Sequence, residues 1–344
     1  MNFRKTALAL LSLVMITGCS QQKTEKDPER PDDLNELRVL LLPTIPADTV
    51  LPEAEEIADI MEEEMLKNGY QIGDITFHVS ESYEDAAESL AAGKAHLAFL
   101  PAGSYVQYPD QMQVILTAET AGLSNDSANP ADWNGEDYKT MRTGTLVTHQ
   151  KTLIFAGPSE YGKKLAQKVN NGEALTWDDL TGARWAAGNK PSASAYIYPE
   201  LYLKNNYDGR TLSDLNNLEH LSITESFHKA AEEEIDVFVC YADGRMDYEA
   251  DWNEEWGRED SIWNECQVLA VAPDMINDAA AITLINDLVK SDSFVEALQN
   301  ALIQTAETKE GKEFFSLYAY DGFQKASDSD YDTAREALAV TGRH

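Results

Sequence analysis

Apolar and polar residues succeed one another along this chain in a pattern that predicts alternating strands and helices. Residues 37–42 and 75–79 are apolar runs of strand length, and residues 95–100 form a third. Between the first two runs, apolar residues recur at helical spacing with glutamates on the other face. A second helix near 83–90 ends at Gly93. This β-α-β-α-β order predicts a parallel sheet, because parallel strands need crossover connections. The apolar positions of the first helix are Ala54, Ile57, Ala58, Met61 and Met65.

A second series of the same kind begins near residue 145. Two successive α/β units with a returning C-terminal segment predict two lobes joined by crossover strands, with a ligand cleft between them. Such lobes are suited to hinge closure on a small solute. The predicted strands of this series are 153–156, 184–187, 220–224, 235–241 and 268–272, and its predicted helices are 159–169, 176–180, 193–204, 228–234, 279–306 and 330–339.

The N-terminal residues have the pattern of a secretory signal. Arg4 and Lys5 precede the apolar run 7–16, which is too short to span a bilayer. The run ends in Ile16-Thr17-Gly18-Cys19, the pattern of a bacterial lipoprotein cleavage site. The Cys19 thiol would then carry a lipid and hold the protein at the extracytoplasmic face of the cell membrane. An ordinary signal peptide with a chance cysteine is the alternative.

These patterns predict a division of the chain into four parts. Residues 1–18 form the lipoprotein signal peptide, and the polar residues 19–36, with two prolines, form a flexible tether. Residues 37–143 together with 270–344 form lobe 1, and residues 144–269 form lobe 2. The 326 residues that remain after cleavage are enough for two domains with their own cores.

Charge and cysteine content narrow the classes of partner. The formal net charge of -33 becomes -35 when Arg4 and Lys5 are removed, and such a surface repels nucleic acid and anionic lipid headgroups. An anionic ligand would therefore need local donors. Cys240 and Cys266 remain after Cys19, and the sequence leaves open whether they form a disulfide or stay free thiols. Their spacing does not suggest a metal site, and we predict no metal and no cofactor.

The segment 188–196 carries the strongest local chemical signal. Gly188-Asn189-Lys190-Pro191-Ser192-Ala193-Ser194-Ala195-Tyr196 follows a predicted strand and opens a predicted helix. The N–H groups of a first helical turn lack intrahelical partners, and together with the helix dipole and the two serine hydroxyls they form a suitable anion site. The alternative is that Ser192 only caps the helix.

From residue 37 to 340 the sequence resembles the phosphonate/phosphite-type (PhnD-like) binding proteins of ABC importers. The resemblance rests on residues 37–44, on 82–106 with Pro101-Ala102-Gly103-Ser104-Tyr105-Val106, on 188–199, and on Asp328-Ser329-Asp330-Tyr331-Asp332 through Arg335. It implies a type II periplasmic-binding-protein fold and a small oxyanion ligand. It also implies a cognate ABC permease as partner. We expect a monomer.

The resemblance also implies a set of ligand-binding residues. In lobe 1 these are Tyr83, whose hydroxyl would donate to the oxyanion, and Ser104 and Tyr105 in the loop after the third strand. In lobe 2 they are Ser192, Ser194 and Tyr196 of the anion-binding turn, His228 at a helix start, and Asp243 after a strand.

The sequence departs from the family pattern at several of these positions. Ala193 and Ala195 replace a threonine and a glycine, Phe227 replaces a small residue, and the segment 141–145 lacks an aromatic residue. These changes affect ligand specificity. Asp243 has the alternative of a plain turn residue, and His228 that of a surface residue.

Three functions fit the pattern. The first is a solute-binding lipoprotein of an ABC importer that captures a phosphonate, phosphite or phosphate-like ion, or else another small solute. The second is a ligand-sensing lipoprotein that signals to a membrane receptor. The third is an enzyme on the same fold using Ser194, His228 and Asp243, which we disfavour because the sequence contains no nucleophile elbow or metal motif.

Overall fold

The structure, a computed structural model, describes residues 34–135, 137, 139–190 and 192–342. The predicted signal peptide 1–18, Cys19 and most of the predicted tether lie outside these residues. Leu34 forms a parallel β-bridge with Ile72, so the folded part includes the last residues assigned to the tether. Gly73 permits this approach, because a Cβ atom there would lie 2.4 Å from the Asn35 carbonyl oxygen.

Strands and helices alternate through most of the chain. The strands are β1 (Leu37–Leu41), β2 (Ile75–Val79), β3 (Leu97–Leu100), β4 (Met112–Leu123), β5 (Arg142–Val147), β6 (His149–Gln150), β7 (Thr152–Ala156), β8 (Trp185–Ala187), β9 (Leu218–His220), β10 (Val237–Tyr241), β11 (Gln267–Val271), β12 (Met275–Ile276), β13 (Ala279–Thr283) and β14 (Gly322–Lys325). The helices are α1 (Ala47–Lys67), α2 (Tyr83–Ala91), α3 (Ala102–Tyr105), α4 (Glu160–Asn170), α5 (Trp177–Thr181), α6 (Tyr198–Asn206), α7 (Ile223–Ala231), α8 (Arg245–Glu254), α9 (Ile262–Glu265), α10 (Asp292–Glu307), α11 (Lys309–Ser316) and α12 (Asp332–Val340).

The first lobe is built on a sheet with the strand order β14-β4-β13-β3-β1-β2. β1 pairs in parallel with β2 and β3, which confirms the predicted β-α-β-α-β unit. The apolar positions predicted for the first helix are all buried in α1. The helical pattern predicted from residue 279 is wrong over its first residues, because Ala279–Thr283 is strand β13, hydrogen-bonded on both sides to β3 and β4. Alanine favours a helix locally, but hydrogen bonding to a strand on each side makes this segment a strand.

The second lobe has the strand order β11-β7-β10-β8-β9. The strand predicted at 220–224 is wrong beyond His220, since α7 begins at Ile223. Ser222 and Glu225 form a capping box that starts this helix, and the helix predicted at 228–234 is therefore shifted toward the N-terminus. Cys240 and Cys266 are buried free thiols, which answers the question that their sequence left open.

Two short antiparallel strands, β6 and β12, carry the chain between the lobes. Lys151, next to β6, forms ion pairs with Asp274 (2.5 Å) and with Asp126 (3.2 Å). β5 pairs with β4 of the first sheet, although residues from 144 onward were predicted to belong to lobe 2. Within the described ranges, no helix is both long enough and apolar enough to cross a bilayer.

Candidate ligand-binding site

A cavity of about 750 Å³ lies between the two lobes. Lobe 1 contributes the start of α2 and residues 101–104 around the start of α3. Lobe 2 contributes Lys190, Ala193, Tyr196, Ile197, Tyr198 and Glu200. The strand β12 and the following Asn277 and Asp278 line it from the crossover. Both lobes and their connection therefore share one cavity, as expected for a ligand site in this architecture.

Two helical segments from opposite lobes begin at this cavity. α2 starts at Tyr83 after Ser82, whose hydroxyl accepts a hydrogen bond from the Asp85 N–H. In lobe 2 a π-helical turn, Ala193–Ile197, runs directly into α6. Tyr83 and Ala193, the first residues of the two segments, both line the cavity. First-turn N–H groups lack intrahelical acceptors and carry partial positive charge, so each segment offers donors for an anion.

Tyrosines supply much of the polar surface of the cavity. Tyr196 and Tyr198 come from lobe 2, and burial raises the pKa of Tyr198 to about 12. Tyr318 and Tyr320 come from lobe 1 and their rings stack at 6.0 Å. The buried Tyr318 hydroxyl has no hydrogen-bond partner among the described residues. These phenols stay protonated at neutral pH and can donate hydrogen bonds. The tyrosines at the cavity are Tyr83, Tyr196, Tyr198, Tyr318 and Tyr320.

The charged groups at the cavity are mainly acidic. Glu84, Glu200 and Asp278 line it, and Lys190 is the only cation among the described lining residues. The Leu212 N–H donates to Glu200 at 2.6 Å, and the Tyr320 hydroxyl donates to Asp278 Oδ2 at 2.8 Å. Burial raises the pKa of both carboxyl groups. In the part of the chain that the structure describes, no group of three or more His, Cys, Asp or Glu side chains is placed to hold a metal ion.

The structure brings some of the predicted site residues to the cavity. Tyr83, Ser104 and Tyr196 line it. Ser192 and Ser194 lie beside Ala193 in the same turn but do not line the cavity, and the Ser192 hydroxyl accepts the Ala195 N–H at 3.2 Å. The capping role considered for Ser192 is therefore present.

Ala195 packs against Gly188, which directly follows strand β8. A Cβ atom on Gly188 would lie 2.6 Å from the Ala195 Cβ. The absence of a side chain on Gly188 therefore leaves room for the Ala195 methyl group.

The prediction that Tyr105 contacts the ligand is wrong, because Tyr105 packs in the interior of lobe 1. The ring is 1% exposed and its hydroxyl donates to Asp328 Oδ1 at 2.7 Å. The same hydroxyl accepts the Val114 N–H at 3.1 Å. With its hydroxyl occupied and its ring buried, Tyr105 is a structural residue of lobe 1.

His228 and Asp243 also lie outside the cavity, contrary to their predicted roles. His228 is well inside α7, not at its start, and its ring stacks on Trp256 at 5.5 Å. The Asp243 side chain is fully buried and binds the Arg245 guanidinium at 2.7 Å and 3.0 Å. Thr140 donates to the same carboxylate at 2.9 Å. Asp243 is therefore fully occupied by protein donors.

Sequence reasoning did not identify several residues that line the cavity. Asp278, Tyr318 and Tyr320 lie in segments without a recognisable motif. The C-terminal helix α12 also contributes one side of the cavity, although its sequence predicted only a helix. The sequence signals that could have pointed to these residues are the two tyrosines at positions 318 and 320 and the C-terminal helix that returns to lobe 1.

Comparison with known proteins identifies the family. The model of the family described as ABC transporter, phosphonate, periplasmic substrate-binding protein matches residues 39–331. The chain belongs to this family. No protein with a curated description matches the chain. Membership confirms the resemblance found in the sequence and makes this a protein of the substrate-binding class of ABC transporters.

Two solved structures share its fold. Mh-p37 of Mycoplasma hyorhinis, described as a putative thiamine pyrophosphate transporter, is 12% identical with a TM-score of 0.61, covering 91% of this chain and 100% of that chain. XAC2383 from Xanthomonas citri, bound to ATP, is 12% identical with a TM-score of 0.54, covering 90% and 97% of the two chains. At these identities the likeness concerns the fold, and the predicted type II periplasmic-binding-protein fold is confirmed.

Proposed function

We propose that this phosphonate-type binding protein is the lipid-anchored extracytoplasmic receptor of an ABC importer. It captures a small phosphorus oxyanion in the cavity between its lobes, which close on the ligand about the β6–β12 connection. The bound form then docks on the cognate permease. The lipid on Cys19 keeps the receptor at the membrane where that permease lies.

The observation that carries this proposal is the meeting of two helical N-termini from opposite lobes at one cavity. Tyr83 at the start of α2 adds a hydroxyl, and Lys190 adds a positive charge beside the second segment. An oxyanion bound to both segments would bridge the lobes. Its binding energy would therefore favour the closed arrangement over the open one.

Titration calorimetry of the full chain tests the ligand class. We expect micromolar or tighter binding of at least one ion among phosphite, phosphate, methylphosphonate and 2-aminoethylphosphonate, and weaker binding of sulfate. Folded protein that binds none of the phosphorus oxyanions contradicts the proposal.

A tyrosine variant tests the placement of the site. Tyr83→Phe removes one donor to the oxyanion and should weaken binding about tenfold or more, since hydrogen bonds to charged groups contribute roughly 1.5–3 kcal/mol. Tyr241→Phe is the matched control, because that hydroxyl donates to Asp247 at 2.7 Å and does not line the cavity. Equal affinities of the two variants would exclude Tyr83 from the site.

The anchor has a separate test. Cys19→Ser should release the protein from the membrane fraction into the soluble extracytoplasmic fraction without changing ligand affinity. Retention of the variant in the membrane fraction would show that Cys19 does not carry the anchor.

The acidic lining favours a second candidate ligand class, a solute that also carries a cationic group. Glu84, Glu200 and Asp278 outnumber Lys190 at the described cavity surface. An ammonium group would be attracted to these carboxylates. Tighter binding of 2-aminoethylphosphonate than of ethylphosphonate would support this candidate, and the reverse order would exclude it.

A further inference from the structure

The C-terminal helix α12 packs on both lobes of the protein. Ala334, near the start of the helix, is buried in a core cluster of lobe 1. Ala337, one turn later, is buried in a different cluster with Tyr198 and Leu201 of α6 in lobe 2. Val340, the last residue of the helix, packs against the same cluster. A single helix therefore reaches from the core of one lobe to the surface of the other.

The start of α12 is fixed to lobe 1 by a buried ring and by hydrogen bonds. Tyr331, immediately before the helix, is fully buried, and its ring meets the Tyr105 ring edge to face at 4.9 Å. The Tyr105 hydroxyl donates to Asp328 Oδ1 at 2.7 Å. Arg335 donates to the Asp328 carbonyl oxygen at 3.0 Å and to Asp332 Oδ1 at 2.7 Å. These directional bonds hold the first turn of the helix in place.

The same end of the helix is bonded to the connection between the lobes. The Tyr331 hydroxyl donates to the Asn277 carbonyl oxygen at 3.3 Å and shares a hydrogen bond with the Thr117 hydroxyl of β4. Asn277 follows β12, and its side-chain amide donates to the carbonyl oxygens of Ala118 at 3.0 Å and Val147 at 3.1 Å. The start of α12 is therefore part of lobe 1 and of its hinge, and it stays with them when the lobes move.

The end of α12 contacts lobe 2 through apolar surface. Tyr198, Leu201 and Ala337 are nearly fully buried, so water is excluded from this contact. Ala272 and Met275, at the crossover, complete the cluster. Separating the lobes would bring these surfaces into water, and the free energy needed grows with the apolar area exposed. The contact between α12 and α6 therefore opposes opening of the cavity.

We propose that α12 is a strap that holds the two lobes together when no ligand is bound. Opening requires the end of the helix, with Ala337 and Val340, to leave α6, while its start stays on lobe 1. The strap thus sets the balance between the open and closed arrangements and favours the closed one before ligand arrives. It rests on the proposed function only in requiring that the lobes move.

Small-angle X-ray scattering of the ligand-free full chain tests the strap. Val340→Asp places a charge against the apolar cluster and should shift the balance about tenfold toward the open arrangement, which raises the radius of gyration. Ala339→Asp adds the same charge on the exposed side of the helix and should leave the radius unchanged. Val340→Leu keeps the contact apolar and should also leave it unchanged. Equal radii for Val340→Asp and Ala339→Asp would overturn the proposal.

Amide hydrogen exchange of the unmodified, ligand-free protein is a second test that needs no variant. A helix end that packs on nothing frays and exchanges nearly as fast as an unfolded chain. We expect the amides of residues 337–340 to exchange about a hundredfold more slowly than that. Exchange at the unfolded rate would overturn the strap, and this measurement is decisive if thermal unfolding shows that Val340→Asp does not fold.

The two proposals fail independently of each other. Scattering and exchange are measured without ligand, so a negative result removes the strap and leaves ligand capture untouched. Calorimetry that finds no binding of any phosphorus oxyanion refutes the proposed function, whereas the contact between α12 and α6 would still hold the lobes together.

Discussion

Two aspartates in this protein occupy contrasting environments. Asp243 in lobe 2 is fully buried and binds both the Arg245 guanidinium and the Thr140 hydroxyl. Asp278, at the crossover into lobe 1, lines the ligand cavity, and among the described residues its carboxylate accepts a hydrogen bond from Tyr320 only. A carboxylate with complete protein donors stabilises the core, whereas one left incomplete at a cavity retains the capacity to bind a ligand group.

Breaking the Asp243–Arg245 pair by removing one partner should have the largest effect on stability. Asp243→Ala leaves the buried Arg245 charge without its partner, and we expect the free energy of unfolding to fall by about 3–5 kcal/mol. Chemical denaturation measures this change. Replacing both residues with apolar ones of similar volume should restore much of the loss, because no charge is then stranded. A loss below about 1 kcal/mol for Asp243→Ala would contradict the contrast.

Removing the single donor to Asp278 should have a smaller effect. Tyr320→Phe deletes a hydrogen bond to a charged group, which contributes roughly 1.5–3 kcal/mol. We expect a corresponding fall in the free energy of unfolding at neutral pH. Tyr318→Phe is the matched control in the adjacent ring, since the Tyr318 hydroxyl has no partner among the described residues. Equal losses in the two variants would show that the Tyr320 hydroxyl does not support Asp278.

Neutralising the Asp278 carboxylate should raise the free energy of unfolding rather than lower it. Asp278→Asn removes a carboxylate charge that burial disfavours, so we expect the free energy of unfolding to rise by about 1 kcal/mol at a pH above the folded-state pKa of Asp278. Ligand-free protein should be used in the measurement. A destabilised variant would show that the Asp278 charge is already satisfied by the protein.

The smallest expected effect is the change with pH of the stability that Asp278→Asn gains. Burial raises the pKa of Asp278 above its ordinary value of 3.8. At pH values between 3.8 and the raised pKa of the folded state, the folded protein binds more protons than the unfolded chain. The free energy of unfolding therefore falls as pH rises through this window. The advantage of Asp278→Asn should therefore be complete above the folded pKa and vanish as pH falls toward 3.8. An advantage that is constant with pH would exclude titration of Asp278 as its cause.

Local patterns predicted much of the fold. The β1-α1-β2-α2-β3 unit follows from short apolar runs and one amphipathic helix, and each element lies close to its predicted position. The errors occur where tertiary contacts override local preference. Ala279–Thr283 is rich in the best helix former but is a strand between β3 and β4, and α7 begins earlier than predicted because Ser222 caps it.

The candidate site was predicted in part. Tyr83, Ser104 and Tyr196 line the cavity, because the start of α2, the loop after β3 and the turn after β8 are local features with readable signals. Asp243 follows a strand, as predicted for a ligand-facing residue. Its carboxylate instead pairs with Arg245, two residues further along the chain, and does not contact the cavity. Side-chain pairing of this kind depends on orientation, which spacing along the chain does not specify.

The sequence by itself determined the α/β class, the family and the presence of two lobes, because these depend on periodicity and on ordered local motifs. The tertiary structure decided which side chains reach the cavity. Tyr105 turned inward to hold Asp328 and α12, while Asp278, Tyr318 and α12, from distant parts of the chain, came to line the cavity. Burial and hydrogen bonding are settled by contacts between residues far apart in sequence, and only the folded chain brings those residues together.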